Sequence, residues 1–313
     1  MKTVRESTIV TVAAIRKPKG QRITEYLFNE RQQIFALKAG VKEDSPRLLK
    51  HALDNHLPVK AAVNSARAVI EKVEAPSPRE IEEFNRRRVL LGKPDRVLRI
   101  DVKNIDPTIF NVVAHYLKFP CFRLCTRIVP NYMTAKKIFD FCAKQSCHLP
   151  GPYAISPCIP FQYVIDGCYA RAHKMRWIIT TRYHYCCEKV FSFANQNNDT
   201  LAVKAEKWGG CCVTWWYHVA PLIRVRVRLG RSRVVLALVI DPGMFNKPVL
   251  LSTWLAAQET ADCSPNANVS MYSIQQGSAY WPDNYAGTTF GTDPSYTLTD
   301  ATLNAYHSLT TCL

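Results

Sequence analysis

The twelve cysteines of this 313-residue chain all lie between Cys121 and Cys312, and the 120 residues before them hold none. One uniform domain would not concentrate its sulfur this way, and at ~100–200 residues per domain the length allows two units. Without any Cys-x-x-Cys pair, the density points to disulfides rather than zinc. The adjacent pairs Cys186-Cys187 and Cys211-Cys212 also suit disulfides, because neighbouring strand residues point to opposite faces. Disulfides imply an oxidising compartment, either periplasm or cell exterior.

Charge divides in the same way. Up to residue 130 there are 25 basic and 14 acidic residues, net +11, leaving 16 and 11 beyond it, net +5. The whole-chain charge of +16 admits an anionic partner, although solubility alone would explain it. An apolar fraction of 47% excludes wholesale disorder, and no apolar run reaches the ~18 residues of a membrane-spanning helix. Thr8 to Ile15 is short, β-branched and followed by Arg16-Lys17, which predicts a strand rather than a signal sequence. If the cysteines are oxidised, a signal peptide is expected to have been removed ahead of this chain.

In the first part, the spacing of Leu48, Leu49, Ala52 and Leu53 after Ser45-Pro46 predicts a helix that His56-Leu-Pro58 ends. Ala61 to Ile70 is expected to begin a second helix, Ala75 to Pro78 a break, and Val97 to Val102 a strand. The Arg86-Arg87-Arg88 run is expected to be a solvated helix face. Residues 1–120 contain no catalytic constellation, and the chain has no internal repeat or low-complexity tract.

Phe161 to Ile165 suits a short strand, Asp166-Gly167 a turn, and Tyr169 onward has helical spacing through Ala172, Met175, Ile178 and Ile179. Cys168 therefore falls at a helix N-terminus, where free N–H groups and the helix dipole favour a thiolate. A cysteine nucleophile needs such a position, although a disulfide cysteine could also occupy it. His173, five residues on and off the face of Cys168, is expected to be structural. Further along, Leu222 to Leu229, Gly230-Arg231 and Ser232 to Ile240 predict a hairpin. A two-residue turn sets Leu229 opposite Ser232 and Asp241 opposite Ala220. His218 and Asp241 then become diagonal neighbours, with backbones ~7–8 Å apart and side chains within reach. A carboxylate orienting an imidazole would suit that arrangement. Pro221 cannot donate to the ladder and could shift this register through a bulge.

Ser156-Pro-Cys-Ile, Asp166-Gly-Cys-Tyr-Ala-Arg-Ala-His-Lys-Met-Arg176, Cys187-Glu-Lys, Cys211-Cys-Val, Trp216-Tyr-His-Val-Ala220 and Ile240-Asp-Pro resemble secreted bacterial protein-glutaminases. The resemblance runs from about Cys125 to about Asp262. It implies an α+β fold, with a transglutaminase- or papain-like catalytic domain in which a nucleophile helix packs on an antiparallel sheet. An α+β pro-domain would precede it. It implies a catalytic triad of Cys168, His218 and Asp241, the residues already singled out. It also implies a proenzyme, with residues 1–124 an inhibitory pro-region over the cleft and 125–313 the catalytic domain. Cys142 and Cys186 depart from the family pattern, and Cys121 and Cys125 fall at the junction. With Cys168 kept as a free thiol, 11 cysteines remain, so at least one more is free or pairs externally. The expected bridges are Cys147 to Cys158, and Cys187 to either Cys211 or Cys212.

The reaction implied is deamidation of protein-bound glutamine through a Cys168 thioester, with the Cys168 backbone N–H in the oxyanion hole. Trp215, Trp216 and Tyr217 could shape the walls around the glutamine or simply pack the core. No metal or other cofactor is implied. The expected partners are glutamine-bearing proteins or peptides and an activating protease, with no nucleic acid and no membrane, and the chain is expected to be a monomer. The rivals are a transglutaminase, in which lysine resolves the thioester, and a cationic disulfide-rich binding protein without catalysis. A papain-type protease does not fit the motif blocks.

Overall fold

Val10 and Val12 of the first strand lie in the core of the N-terminal part. The computed structural model describes residues 5–18, 22–90, 127–196, 198–229 and 232–312. Strands β1 (Arg5–Arg16), β2 (Glu25–Phe28), β3 (Ile34–Leu37), β4 (Pro58–Asn64) and β5 (Val69–Glu74) close into a barrel in the order β1-β2-β3-β5-β4. Helix α1 (Ser45–Asn55) supplies Leu49 and Ala52 to the barrel core, where they join Val10, Phe28, Phe35, Val59, Val63 and Ile70. The expected strand at Thr8 to Ile15 and helix after Ser45 are both present.

The second expected helix is instead the β4–β5 hairpin. Val59, Ala61 and Val63 are buried in strict alternation, a period of two that the small alanines disguise. The turn is set by Asn64, whose Oδ1 accepts from the Arg67 N–H at 3.2 Å, and by Ala68 with φ 53°. Helix α2 (Pro78–Arg87) begins at the expected break, with Ser77 and Glu80 forming a capping box. Arg86 and Arg87 are exposed as expected, but Arg88 is half-buried and its Nε donates to Asp283 Oδ1 at 2.8 Å. The strand expected at Val97 to Val102, and Cys121 and Cys125, lie outside the described residues.

The C-terminal part is built on an antiparallel sheet ordered β12-β11-β10-β7-β13. Its strands are β7 (Glu188–Phe193), β10 (Tyr217–Leu229), β11 (Ser232–Val239), β12 (Val249–Leu250) and β13 (Met271–Gln275). Helices α3 (Tyr132–Ala143) and α4 (Cys168–Thr181) share one core with β10. On the other face, β8 (Leu201–Lys204), β9 (Cys212–Trp215) and α5 (Leu251–Ala256) contribute to a second core. The remaining sheet pairs β14 (Ala279–Pro282) with β15 (Phe290–Thr292), and β15 in turn with β6 (Val89–Leu90). Helix α6 (Thr297–Tyr306) follows. The fold is therefore α+β with several antiparallel sheets, and β6 joins the N-terminal part to a sheet of the C-terminal part.

The disulfides correct part of the sequence reading. Cys147 bonds Cys158 as expected, but Cys211 bonds Cys312 and Cys212 bonds Cys263. Cys187 is buried and takes part in neither expected bridge, since Cys211 and Cys212 are both bonded elsewhere, while its neighbour Cys186 is disulfide-bonded. Cys211 and Cys212 bond different partners, and the identity of each partner depends on chain far away in sequence. Cys142 and Cys168 are free thiols. Among the described residues, no helix is long and apolar enough to cross a membrane.

Candidate active site

The β10–β11 register is the one the two-residue turn predicts, from Leu229↔Ser232 to Leu222↔Val239. Pro221 does not shift it. The Ile240 N–H donates to the Pro221 carbonyl at 3.0 Å, and the missing proline donor falls where β11 stops pairing. Asp241 is thereby brought to His218, whose Nε2 lies 2.9 Å from Asp241 Oδ2. Both side chains are buried.

Two tryptophans hold this pair. The His218 ring stacks between Trp215 and Trp254, with centroids 4.6 Å and 5.3 Å away and planes tilted by only 17° and 22°. Trp254 Nε1 also donates to Asp241 Oδ2 at 2.9 Å. Burial works to raise the Asp241 pKa, but the hydrogen bonds from His218 and Trp254 outweigh it and hold the carboxyl below its usual range. Only His218 Nδ1 is left over, buried and without a hydrogen-bond partner among the described residues. Sequence reading missed Trp254, a helix tryptophan with no motif around it.

Cys168 opens α4 after Gly167, whose φ is +80° and whose missing Cβ leaves room for the Tyr306 ring. The helix is buried on nearly every side, so its polar residues find partners inside. Arg171 Nη1 donates to the Tyr163 carbonyl at 2.6 Å, and Lys174 Nζ to the Ser156 carbonyl at 2.8 Å. His173 is satisfied in the same way, facing Lys189 Nζ at 2.8 Å and the Asp293 carbonyl at 3.1 Å. Burial, then Lys189 and Arg176, push its pKa down to about 2.

The strand expected at Phe161 to Ile165 is absent. This buried segment gives its carbonyls to side chains instead of to a neighbouring strand. Tyr163 takes Arg171, Val164 takes the Gln32 Nε2 at 3.1 Å, and Ile165 takes Trp215 Nε1 at 3.1 Å.

Gln32 belongs to the β2–β3 connection, where Asn29, Glu30, Arg31, Gln32 and Gln33 are all buried. Read as sequence, five polar residues between two apolar strands suggest an exposed turn. Instead the connection lies against β9 and β10. The Trp216 N–H donates to the Gln32 carbonyl at 3.0 Å, and Gln33 bridges Trp215 in antiparallel fashion. The Gln32 N–H reaches Asp166 Oδ1 at 3.3 Å, and Arg31 Nη1 pairs with Asp166 Oδ2 at 2.8 Å. Gln32 itself is fully buried, and its side-chain Oε1 accepts from the Cys168 backbone N–H at 2.9 Å. Trp216 Nε1 donates to the Arg31 carbonyl at 2.6 Å.

Under this cover the Cys168 thiol is not activated. Burial pushes its pKa well above the ordinary range, against the pull of the Arg171 guanidinium and the Val219 backbone N–H. The helix start predicts the opposite direction, and exclusion of water outweighs the dipole. Trp215, Trp216 and Tyr217 are fully buried, two of them in contact with His218 or with the covering segment.

The model of the family described as glutaminase matches residues 135–258. A crystal structure of pro-protein-glutaminase aligns with a TM-score of 0.70 and 26% identity, covering 98% of this chain and 95% of that one. The structure of protein-glutaminase from Chryseobacterium proteolyticum aligns with a TM-score of 0.51 and 33% identity, covering 59% of this chain and 91% of that one. No curated protein sequence matches. The chain belongs to the protein-glutaminase family.

Proposed function

We propose that the chain is a zymogen of a protein-glutamine deamidase, which hydrolyses side-chain amides of protein-bound glutamine to glutamate and releases ammonia. One observation carries this reading: a glutamine carboxamide lies with its oxygen on the Cys168 backbone N–H, in a site that also holds a buried His218–Asp241 pair. In the proposed reaction the Cys168 thiolate attacks the carboxamide carbon and the Cys168 N–H holds the developing oxyanion. His218 Nδ1, the nitrogen not engaged by Asp241, protonates the departing ammonia and then activates the water that cleaves the thioester. Asp241 fixes the imidazole tautomer.

The zymogen reading rests on the covering segment. It lies on the Cys168 N–H through Gln32 and pairs its main chain with Trp215 and Trp216, the kind of backbone contact a bound peptide would make. The pro form matched covers about two-fifths more of this chain than the mature form does, which agrees with a pro-region of residues 1–124 and a catalytic domain of 125–313. The disulfides at Cys147–Cys158, Cys211–Cys312 and Cys212–Cys263 suit a secreted or periplasmic location. Its partners would be protein substrates and an activating protease.

Limited proteolysis followed by an ammonia assay on a glutamine-rich protein tests both readings. The intact chain is expected to be nearly inactive, with activity rising by roughly tenfold or more once the N-terminal part is removed. Equal activity before and after trimming refutes the zymogen. A Cys168→Ala variant that still releases ammonia refutes the mechanism, and cross-linking in place of ammonia-coupled hydrolysis would favour a transglutaminase.

A further inference from the structure

The geometry points to Gln32 as the enzyme's own first substrate, deamidated in cis within the intact chain. This inference rests on the deamidase reading of the site and adds a modification site to it. A segment that only plugged the cleft could use any side chain, whereas here the residue is the one the reaction consumes. Each part of Gln32 is held: Oε1 by the Cys168 N–H at 2.9 Å, Nε2 by the Val164 carbonyl at 3.1 Å, its carbonyl by the Trp216 N–H at 3.0 Å and its N–H by Asp166 Oδ1 at 3.3 Å. Two of these bonds go to the main chain of residue 32, so the site grips a glutamine inside a polypeptide. The carboxamide oxygen lies on a donor that also serves an oxyanion, and His218 Nδ1 has no other partner among the described residues.

In the reaction the Cys168 sulfur bonds to the side-chain carbonyl carbon of Gln32. The carbon–nitrogen bond breaks, and the nitrogen leaves as ammonia with the proton held on His218. Water then adds to the thioester carbon and the carbon–sulfur bond breaks, which leaves a glutamate at position 32 and restores the Cys168 thiol. Because the thiol is buried and held neutral, and water must enter, this turnover is slow beside that on an external protein. The product carboxylate would lie beside Asp166, where a second buried negative charge disfavours the docked cover.

The experiment incubates the purified full-length chain and follows residue 32 by peptide mass spectrometry at several chain concentrations. Cys168→Ala and Cys168→Ser are run in parallel, and the trimmed enzyme is assayed on an external protein. The expected result is that most wild-type molecules carry glutamate at position 32, or a Cys168-linked thioester with ammonia lost. Neither variant should convert, and the wild-type rate should not depend on concentration. Gln32 persisting unchanged, while the trimmed enzyme deamidates the external protein, overturns self-deamidation and leaves the function standing. No activity in either assay overturns the function itself. A rate proportional to concentration assigns the event to another copy and overturns the intramolecular step.

Discussion

His218 is held by two flat aromatic faces and one carboxylate, and the weight of each can be separated by substitution. Trp254 is the informative residue because it touches both members of the pair. Trp254→Phe keeps an aromatic face but removes the Nε1 donor. Losing such a supporting bond typically costs ~10–100-fold in activity. In the trimmed enzyme the loss is expected in kcat, with KM nearly unchanged and the acidic limb of the pH–rate profile displaced upward, since Asp241 loses a bond that favours its charged form. A rise in KM alone would show that Trp254 shapes the substrate pocket instead. The His218–Asp241 pair was legible in sequence because a hairpin's register is local arithmetic. Trp254 was not, because its only qualification is where α5 packs.

At the scale of elements, α4 presents Cys168 through a glycine turn. Gly167 has φ +80°, and a Cβ there would come within 2.9 Å of the Tyr306 ring. Gly167→Ala therefore meets both backbone strain and a clash, together of order 2–4 kcal/mol. A chemical-denaturation midpoint lowered accordingly, with loss of activity at temperatures where the fold survives, is expected. An unchanged midpoint would mean that α6 yields and that Tyr306 does not pin the turn. The helix start was legible from Asp166-Gly167, whereas the supposed strand before it was not. Phe161 to Ile165 has strand-forming residues but no neighbouring strand, and its carbonyls go to Arg171, Gln32 and Trp215. The helix expected at Ala61 to Ile70 failed for a related reason, since alanines fit either period and barrel closure chose the strand.

For the whole molecule, the covering loop carries a pH-sensitive group. Glu30, two residues before Gln32, is buried and accepts from the Thr11 N–H and Oγ1 at 2.9 and 2.8 Å. Burial raises its pKa from 4.5 to about 6, against the pull of Thr11 and Arg88. The folded chain thus binds this proton more tightly than the unfolded one. Its contribution favours the fold below pH ~4.5 and is lost as pH rises through ~6, a change of about 2 kcal/mol. Glu30→Gln is expected to flatten the stability profile over that interval by about this amount, measured by denaturation at several pH values. A variant with the wild-type slope would place the proton elsewhere.

What the amino-acid sequence determined by itself was the α4 start at Cys168, the His218–Asp241 register and the family resemblance. These depend on composition or on residues close together along the chain, where turn geometry and periodicity act directly. The tertiary structure decided which cysteines pair, which tryptophans clamp the imidazole, and that a polar turn carries Gln32 to the Cys168 N–H. Of those contacts, the Gln32–Cys168 bond and the Cys211–Cys312 bridge join segments more than a hundred residues apart, and no local preference encodes them. The cysteine-free N-terminal part also changes in meaning, from a stretch without chemistry to the segment that places a glutamine on the Cys168 N–H.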